Sequence, residues 1–169
     1  MPSNIEIKAR VADPARKREL AERLAQTPPG VLKQHDTFFP CANGRLKLRE
    51  FSRTEGELIF YQRPDTAGPK QSEYLLSATS SPASLLGLLT SAYGIEKVVN
   101  KTRLVYLAGQ TRIHLDSVVD LGSFVEIEVV LNEGQSTDEG RRLAEQFMVA
   151  LEIDPADLIE CSYADLLDA

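Results

Sequence analysis

The chain has 169 residues, of which 43% are hydrophobic and 26% are charged, and its formal net charge is −6. This length suits one domain, and no Pro-, Gly- or Ser-rich stretch offers a linker, so residues 1–169 are predicted to form a single domain. An acidic balance argues against general affinity for nucleic-acid backbones or anionic membranes, which select basic surfaces. We therefore expect neither nucleic acid nor membrane as a partner, and any anion site must be local.

Apolar runs and cysteine spacing bear on the cellular location of the protein and on possible disulfide or metal sites. No apolar run approaches the roughly 20 residues that span a bilayer, and the sequence enters a patterned strand without a basic and then apolar leader, which predicts a cytoplasmic protein. Cys41 and Cys161 are far apart and are accompanied by only two histidines, His35 and His114. Neither a disulfide framework nor a thiolate metal site is therefore predicted.

Hydrophobic periodicity divides the chain into strands and helices. Residues 4–11 alternate strictly, which is typical of a half-buried strand, whereas Asp13-Pro14 opens a helix predicted over 13–27. Asn43-Gly44 and Glu55-Gly56 mark turns of a meander. The other predicted strands are 31–39, 45–52, 57–63, 71–77, 96–107, 111–118 and 123–131. The other predicted helices are 82–93, 136–151 and a final helical stretch over 154–167.

About eight strands, mostly joined by short turns and interrupted by helices, predict an α+β fold built on an antiparallel barrel or a strongly curved sheet. Six segments carry polar or charged residues at period two: Glu6-x-Lys8-x-Arg10, Arg45-x-Lys47-x-Arg49, Tyr61-x-Arg63, Lys101-x-Arg103, Arg112-x-His114-x-Asp116 and Glu126-x-Glu128. For one strand, a face turned to water explains such a pattern. For the whole set, a shared site competes with that reading, because cations and acids gather on different strands and Glu126 and Glu128 repel unless a cation lies between them.

The two charge groups fit the two ends of a metal-bound triphosphate. Hard ions such as Mg²⁺ or Mn²⁺ take carboxylate oxygens and keep waters and phosphate oxygens as further ligands. The candidate metal ligands are Glu6, Asp116, Glu126 and Glu128. A triphosphate carries about four negative charges, which Arg and Lys match with donor forks and compact charges. The candidate phosphate ligands are Arg45, Lys47, Arg49, Arg63, Lys101 and Arg103.

These segments, taken in order, resemble the strands of the CYTH superfamily, the triphosphate tunnel metalloenzymes, over nearly the whole chain. The resemblance rests on 4–8 (NIEIK), 44–49 (GRLKLR), 60–64 (FYQRP), 101–103 (KTR), 112–118 (RIHLDSV) and 121–128 (LGSFVEIE). It implies an eight-stranded antiparallel β-barrel with flanking helices, a Mg²⁺ or Mn²⁺ cofactor and a small-molecule triphosphate substrate. It also implies catalytic roles for Glu6, Lys8, Glu126 and Glu128, and phosphate contacts that include Lys8, Arg10 and Arg112 besides the six named above.

The family includes triphosphatases and class IV adenylate cyclases, and the shared motifs describe the cradle common to both. Asn4 stands where the family's opening Glu-x-Glu-x-Lys motif has its first Glu, so a metal site that uses this position has one charge fewer. We rank hydrolysis of a thiamine, inorganic or nucleoside triphosphate slightly ahead of cyclisation of ATP to cyclic AMP and pyrophosphate. A non-catalytic tunnel that binds triphosphate or polyphosphate, and a homodimeric state, both stay open.

Several single residues carry weaker expectations. His114 is predicted to be a hydrogen-bonded polar residue rather than a general base. Asp36 fits a substrate contact and a local hydrogen bond equally well, and Lys70 is expected to be a solvated loop charge. The C-terminal segment 162–167 could plug the tunnel or pack on the surface, and we favour packing.

Overall fold

The computed structural model describes residues 2–168. Its strands are β1 (Ser3–Arg10), β2 (Gly30–Phe39), β3 (Arg45–Glu50), β4 (Gly56–Gln62), β5 (Lys70–Thr79), β6 (Lys97–Ala108), β7 (Thr111–Val118) and β8 (Gly122–Val130). Its helices are α1 (Pro14–Leu24), α2 (Pro82–Tyr93), α3 (Thr137–Ala150) and α4 (Tyr163–Leu166), with a 3₁₀ turn at Pro155–Asp157. The strands close a barrel in the order β1-β5-β4-β3-β2-β6-β7-β8, and every pairing is antiparallel. The predicted α+β barrel is confirmed.

The apolar faces of the strands point outwards, beneath the helices. Ile5, Ile7 and Ala9 of β1 are fully buried and pack in one cluster with Ala21 of α1 and Ala144 of α3. Because side chains alternate across a strand, this packing turns the intervening polar positions of β1 into the barrel. The helices thus bury the hydrophobic face that an exposed sheet would leave in water.

Helix α3 approaches the barrel closely at one glycine. A Cβ atom on Gly140 would lie 2.8 Å from Cγ1 of Ile5 and 2.5 Å from Cδ2 of Leu131. Both distances are below van der Waals contact, so only glycine lets α3 sit this near to β1. A capping box between Ser136 and Glu139 fixes the start of the same helix.

The C-terminal stretch differs from the sequence prediction. The expected helix over 154–167 is wrong: after the 3₁₀ turn, Leu158 forms an isolated bridge with Ala9, and helix resumes only at α4. The Ile159 amide donates to the Lys8 carbonyl at 2.9 Å, which holds the segment against β1. Pairing with β1 displaces the helix because it buries Ile159 in a cluster with Phe124 and Tyr163.

Between residues 2 and 168, each helix is too short or too polar to traverse a lipid bilayer.

Candidate active site

The interior of the barrel is a cavity of about 350 Å³, which we call the tunnel, and its walls are charged. Seven basic side chains line it: Lys8, Lys47, Arg49, Arg63, Lys101, Arg103 and Arg112. Five acidic side chains line it as well: Glu6, Asp36, Glu57, Glu126 and Glu128. With His114 neutral, these groups sum to a net charge of +2 inside a chain whose formal charge is −6. The tunnel is therefore a local anion-attracting site in an acidic protein.

Strand register explains why charges from distant segments meet. On β1 and β8, Glu6 lies opposite Glu128 and Lys8 opposite Glu126, and on β7 His114 lies opposite Glu126. Residues directly opposite each other in an antiparallel pair share a face of the sheet. The period-two pattern that turns one of these side chains into the tunnel thus turns all of them inwards.

An acidic wall forms where β1, β7 and β8 adjoin. Ligand atoms of His114, Glu126 and Glu128 all lie within 4.8 Å of one another. The imidazole places Nδ1 3.2 Å from Oε1 of Glu126 and Nε2 3.7 Å from Oε2 of Glu128. Asn4 donates from Nδ2 to Oε1 of Glu128 at 2.5 Å, and Arg112 donates to the same oxygen at 2.6 Å. Of the three residues in this group, Glu126 and Glu128 were predicted metal ligands, whereas His114 was expected only to be a hydrogen-bonded polar residue.

The pKa values of two carboxylates of this wall, Glu126 and Glu6, are shifted in opposite directions. Burial by itself would raise the pKa of Glu126, but the Arg103 guanidinium and the hydrogen bond to His114 hold that pKa well below its usual range. Burial, followed by the charge of Glu126, raises the pKa of Glu6, although Arg63 opposes the change. Glu126 is therefore held as an anion, whereas the surroundings of Glu6 disfavour its charged form.

A basic wall forms on β2, β3 and β6 around one buried carboxylate. Asp36 is 1% exposed and accepts from Lys47 at 3.0 Å and from Lys101 at 3.4 Å. Arg49 donates to it through Nε at 2.8 Å and Nη2 at 2.7 Å. The predicted hydrogen bonding of Asp36 is therefore found, as an internal counter-ion to three cations, and its contact with substrate stays a prediction.

Crowding of like charges shows in the lysine pKa values. Burial, and then the neighbouring charge of Arg49, lowers the pKa of Lys47 to about 8, although Asp36 opposes the change. Burial likewise brings the pKa of Lys101 well below its ordinary value, again against the pull of Asp36. Burial would raise the pKa of Asp36 itself, but Lys47, Arg49 and Lys101 hold it well below the usual range. Asp36 thus opposes the loss of positive charge from both lysines.

Asp116 occupies a different position from the other candidate metal ligands. It is 3% exposed, and both oxygens accept from Arg103, each at 2.7 Å. The Tyr163 hydroxyl also donates to Oδ2 of Asp116 at 2.7 Å. Asp116 therefore orients Arg103 and Tyr163 toward the tunnel, and its role as a metal ligand stays a prediction.

Two of the predicted phosphate ligands lie away from the tunnel walls. Arg10, the last residue of β1, is exposed, and its guanidinium carbon lies 5.4 Å from the centre of the Phe124 ring. Arg45 donates to Oγ of Ser162 at 2.8 Å and pairs with Asp65 at 3.1 Å. A period-two pattern shows which side chains share one face of a strand. It does not show which of them lie at a strand end, away from the tunnel.

The C-terminal segment closes one end of the tunnel instead of packing on the surface as favoured from sequence. Ser162 and Tyr163 line the cavity, and Tyr163 is 4% exposed. Lys8 places Nζ 4.0 Å from the centre of the Tyr163 ring, and Lys101 does so at 5.2 Å. A capping box between Ser162 and Asp165 starts α4.

Lys70 anchors the same segment and is not a solvated loop charge. It begins β5, is 1% exposed, and donates to the carbonyls of Thr66 at 2.9 Å, Ile159 at 3.3 Å and Glu160 at 2.8 Å. All three ammonium protons are thereby used. The contacts tie the loop before β5 to the segment that carries Tyr163.

Structural similarity extends over the whole barrel. A Pyrococcus horikoshii protein is 21% identical, with 96% of this chain and 98% of that chain covered at a TM-score of 0.84. A candidate adenylate cyclase from Vibrio parahaemolyticus is 17% identical, with 98% of each chain covered at a TM-score of 0.79. A candidate adenylyl cyclase from Hippeastrum with a dominant triphosphatase activity is 18% identical, with 97% of this chain and 93% of that chain covered at a TM-score of 0.62. These likenesses concern the fold.

Sequence comparison identifies the family. No curated protein matches the chain significantly. The family model described as the CYTH domain matches residues 3–163, which include all eight strands and end at Tyr163. The chain therefore belongs to the CYTH domain family.

Proposed function

We propose that this protein is a metal-dependent phosphohydrolase that cleaves a small organic or inorganic triphosphate inside the tunnel. One observation carries the proposal most directly: Arg63 lines the tunnel, and its Nε and Nη2 atoms are buried without a hydrogen-bond partner. Buried guanidinium donors are costly to leave unpaired, and phosphate oxygens are their natural acceptors. The net positive tunnel adds a long-range attraction for the same ligand.

The residues present fit a divalent cation at the acidic wall. Glu6, Glu126 and Glu128 would hold Mg²⁺ or Mn²⁺, since carboxylate oxygens are preferred ligands of both ions. The raised pKa of Glu6 supports this, because burial and the adjacent Glu126 charge disfavour its anion until a positive charge compensates them. A bound ion would supply charge neutralisation at phosphate oxygens. Tunnel enzymes of this family generally depend on divalent metal.

The basic wall supplies what the reaction needs at the other side of the substrate. Lys47, Arg49 and Lys101 converge on Asp36, so their cationic groups are already close together before substrate binds. Such preorganised cations bind phosphate oxygens and stabilise the charge that develops as a water oxygen attacks the terminal phosphorus. The bond from that phosphorus to its bridging oxygen breaks, which releases inorganic phosphate and leaves a diphosphate.

Cyclisation of ATP is the second candidate, favoured by apolar side chains in the same cavity. Leu32 and Leu76 line the tunnel and are 36% and 54% exposed, and Phe51 lines it as well. Exposed apolar side chains beside a phosphate site offer a surface for a nucleobase. Attack by the ribose 3′-hydroxyl on the α-phosphorus would then give cyclic AMP and pyrophosphate.

Product analysis tests these alternatives. Purified protein is incubated with ATP, thiamine triphosphate or tripolyphosphate in Mg²⁺ or Mn²⁺, and the products are separated. We expect orthophosphate release from at least one substrate, dependent on the metal. Cyclic AMP and pyrophosphate from ATP would overturn hydrolysis in favour of cyclisation. Triphosphate binding without turnover under any of these conditions would overturn both reactions and leave a binding protein.

A further inference from the structure

Asn4 presents an unsatisfied oxygen to the acidic wall. Its side chain lines the tunnel, is 2% exposed, and uses Nδ2 to bond Glu128. The remaining atom, Oδ1, is buried and has no hydrogen-bond partner. An unpaired buried carbonyl is costly, and the contact with Glu128 uses only the amide nitrogen of Asn4. An amide oxygen in this state is a ready ligand for a hard or borderline cation.

His114 presents a second ring nitrogen to the same wall. A neutral imidazole carries one N–H, and the shorter contact, 3.2 Å from Nδ1 to Glu126, is the one with hydrogen-bond geometry. The other nitrogen, Nε2, then carries the lone pair, and it lies 3.7 Å from Oε2 of Glu128, which is close enough for one ion to bind both atoms. A carboxylate that fixes Nδ1–H while Nε2 binds metal is the usual arrangement of a ligating histidine.

We propose that Nε2 of His114 and Oδ1 of Asn4 join the carboxylates of the acidic wall in a mixed nitrogen and oxygen site that prefers Mn²⁺ to Mg²⁺, while Oε1 of Glu126 also orients the imidazole. The proposal rests on the metal dependence proposed above and adds ligands and metal selectivity to it. It also accounts for Asn4, whose position the family resemblance assigns to a carboxylate: the imidazole adds a donor without adding negative charge beside Glu6, Glu126 and Glu128.

Metal preference follows from the donor atoms. Mg²⁺ takes oxygen ligands at nearly ideal octahedral geometry, whereas an imidazole nitrogen favours first-row transition ions. Loss of the nitrogen should therefore weaken Mn²⁺ binding much more than Mg²⁺ binding. Loss of the Asn4 oxygen should weaken both.

Pulsed electron paramagnetic resonance of the Mn²⁺-loaded protein, without substrate, tests the nitrogen ligand directly. We expect electron spin echo modulation from a bound histidine nitrogen, and a changed modulation frequency when only histidine is labelled with ¹⁵N. The signal should vanish in His114→Gln and persist in His35→Gln, since the other histidine is 44% exposed on β2 and contacts Asn100. The labelled wild-type protein needs no substitution, so a misfolded variant cannot obscure the result.

Calorimetric titration with Mn²⁺ and Mg²⁺ measures the ratio of the two affinities. Wild-type protein should bind Mn²⁺ at least about tenfold more tightly than Mg²⁺, and His114→Gln should reduce that ratio to about threefold or less. Asn4→Leu should weaken the affinity for Mn²⁺ about tenfold. Asn100→Leu, an exposed asparagine on β6, is the control and should match wild type. Bound Mn²⁺ without histidine coupling, or no Mn²⁺ binding, overturns this inference. Metal-dependent phosphate release alongside either result would leave the proposed hydrolase standing.

Discussion

The two walls of the tunnel differ in how completely their polar atoms are paired. The basic wall encloses its own counter-ion: Asp36 accepts from three cationic side chains at 2.7 to 3.4 Å. The acidic wall also contains cations, since Arg112 donates to Glu128 at 2.6 Å and Arg63 donates to Glu6 at 3.1 Å. It keeps gaps, however, because Nε2 of His114 lies 3.7 Å from Glu128 and the Asn4 oxygen is unpaired. This contrast supports a proposal in which the phosphate side is assembled before ligand arrives and the cation side is completed by what it binds.

The largest effect should come from removing the anion at the centre of the acidic wall. Glu126→Gln keeps the size of the side chain but removes a charge that Arg103 and His114 hold ionised. We expect metal-dependent phosphate release to fall by about 10² to 10³-fold or more, as for loss of a preorganised charge in a reaction site. The assay is initial-rate phosphate release at saturating Mn²⁺.

Glu133→Gln is the matched control for that substitution. Glu133 is exposed in the loop that follows β8, so its replacement should leave the rate unchanged. Equal rates for Glu126→Gln and wild type, with the fold intact by circular dichroism, would remove Glu126 from the site and break the contrast between the walls.

The closed end of the tunnel, where Tyr163 touches both walls, should be the next most sensitive place. Lys70→Met removes the donor to three backbone carbonyls that hold this segment. We expect the free energy of unfolding to fall by about 2 to 4 kcal/mol, because buried acceptors lose charge-assisted bonds. Urea denaturation measures the change. Lys33→Met, at an exposed site on β2, should lower the free energy of unfolding by less than about 0.5 kcal/mol. A similar decrease in both variants would mean that Lys70 does not anchor this segment.

Asp36→Asn tests whether the internal counter-ion keeps the basic wall cationic. Asp36 raises the pKa of Lys47 and Lys101 against the effect of burial, so its loss lowers both further. Affinity for tripolyphosphate should then decline at a lower pH than in wild type, where Lys47 loses its proton near its pKa of about 8. The affinity of Asp36→Asn relative to wild type should therefore fall as the pH rises from 6 to 8, and near pH 8 it should be about tenfold weaker.

Calorimetry across this pH range measures the profile. Asp65→Asn removes an exposed acid outside the tunnel, next to Arg45, and should leave the profile unchanged. Parallel profiles for Asp36→Asn and wild type would mean that the lysines do not depend on their buried partner.

The fold was predictable where one physical rule acts along a whole strand. Strand β7 was expected over 111–118 and is found at Thr111–Val118, because burial of one face and charge on the other impose strict alternation. The inward direction of the charged face also follows once the barrel closes. Helix signals were equally readable at α2, predicted over 82–93 and observed at Pro82–Tyr93.

The missed features depend on contacts between segments far apart in sequence. Asp36 meets Lys47 and Lys101 only because β2 pairs with β3 on one side and β6 on the other, and a single acid among polar residues gives no periodic signal. Leu158 leaves the expected helix only because β1 offers a pairing partner at Ala9. Such tertiary contacts override local propensity, so these parts of the site could not be predicted from the sequence and were found only in the structure.

The smallest effect should separate neighbouring inward and outward charges on β1. Lys8 is 5% exposed inside the tunnel, whereas Arg10, two residues on, is exposed and lies over Phe124. Arg10→Gln should therefore change tripolyphosphate affinity by less than about twofold, since an exposed charge is screened by solvent and salt. Lys8→Gln should weaken the same binding about tenfold or more, because it removes a desolvated cation. Affinities measured at low and physiological salt distinguish the two positions: equal losses would mean that phosphate reaches beyond the closed end, and the boundary drawn at Tyr163 would be wrong.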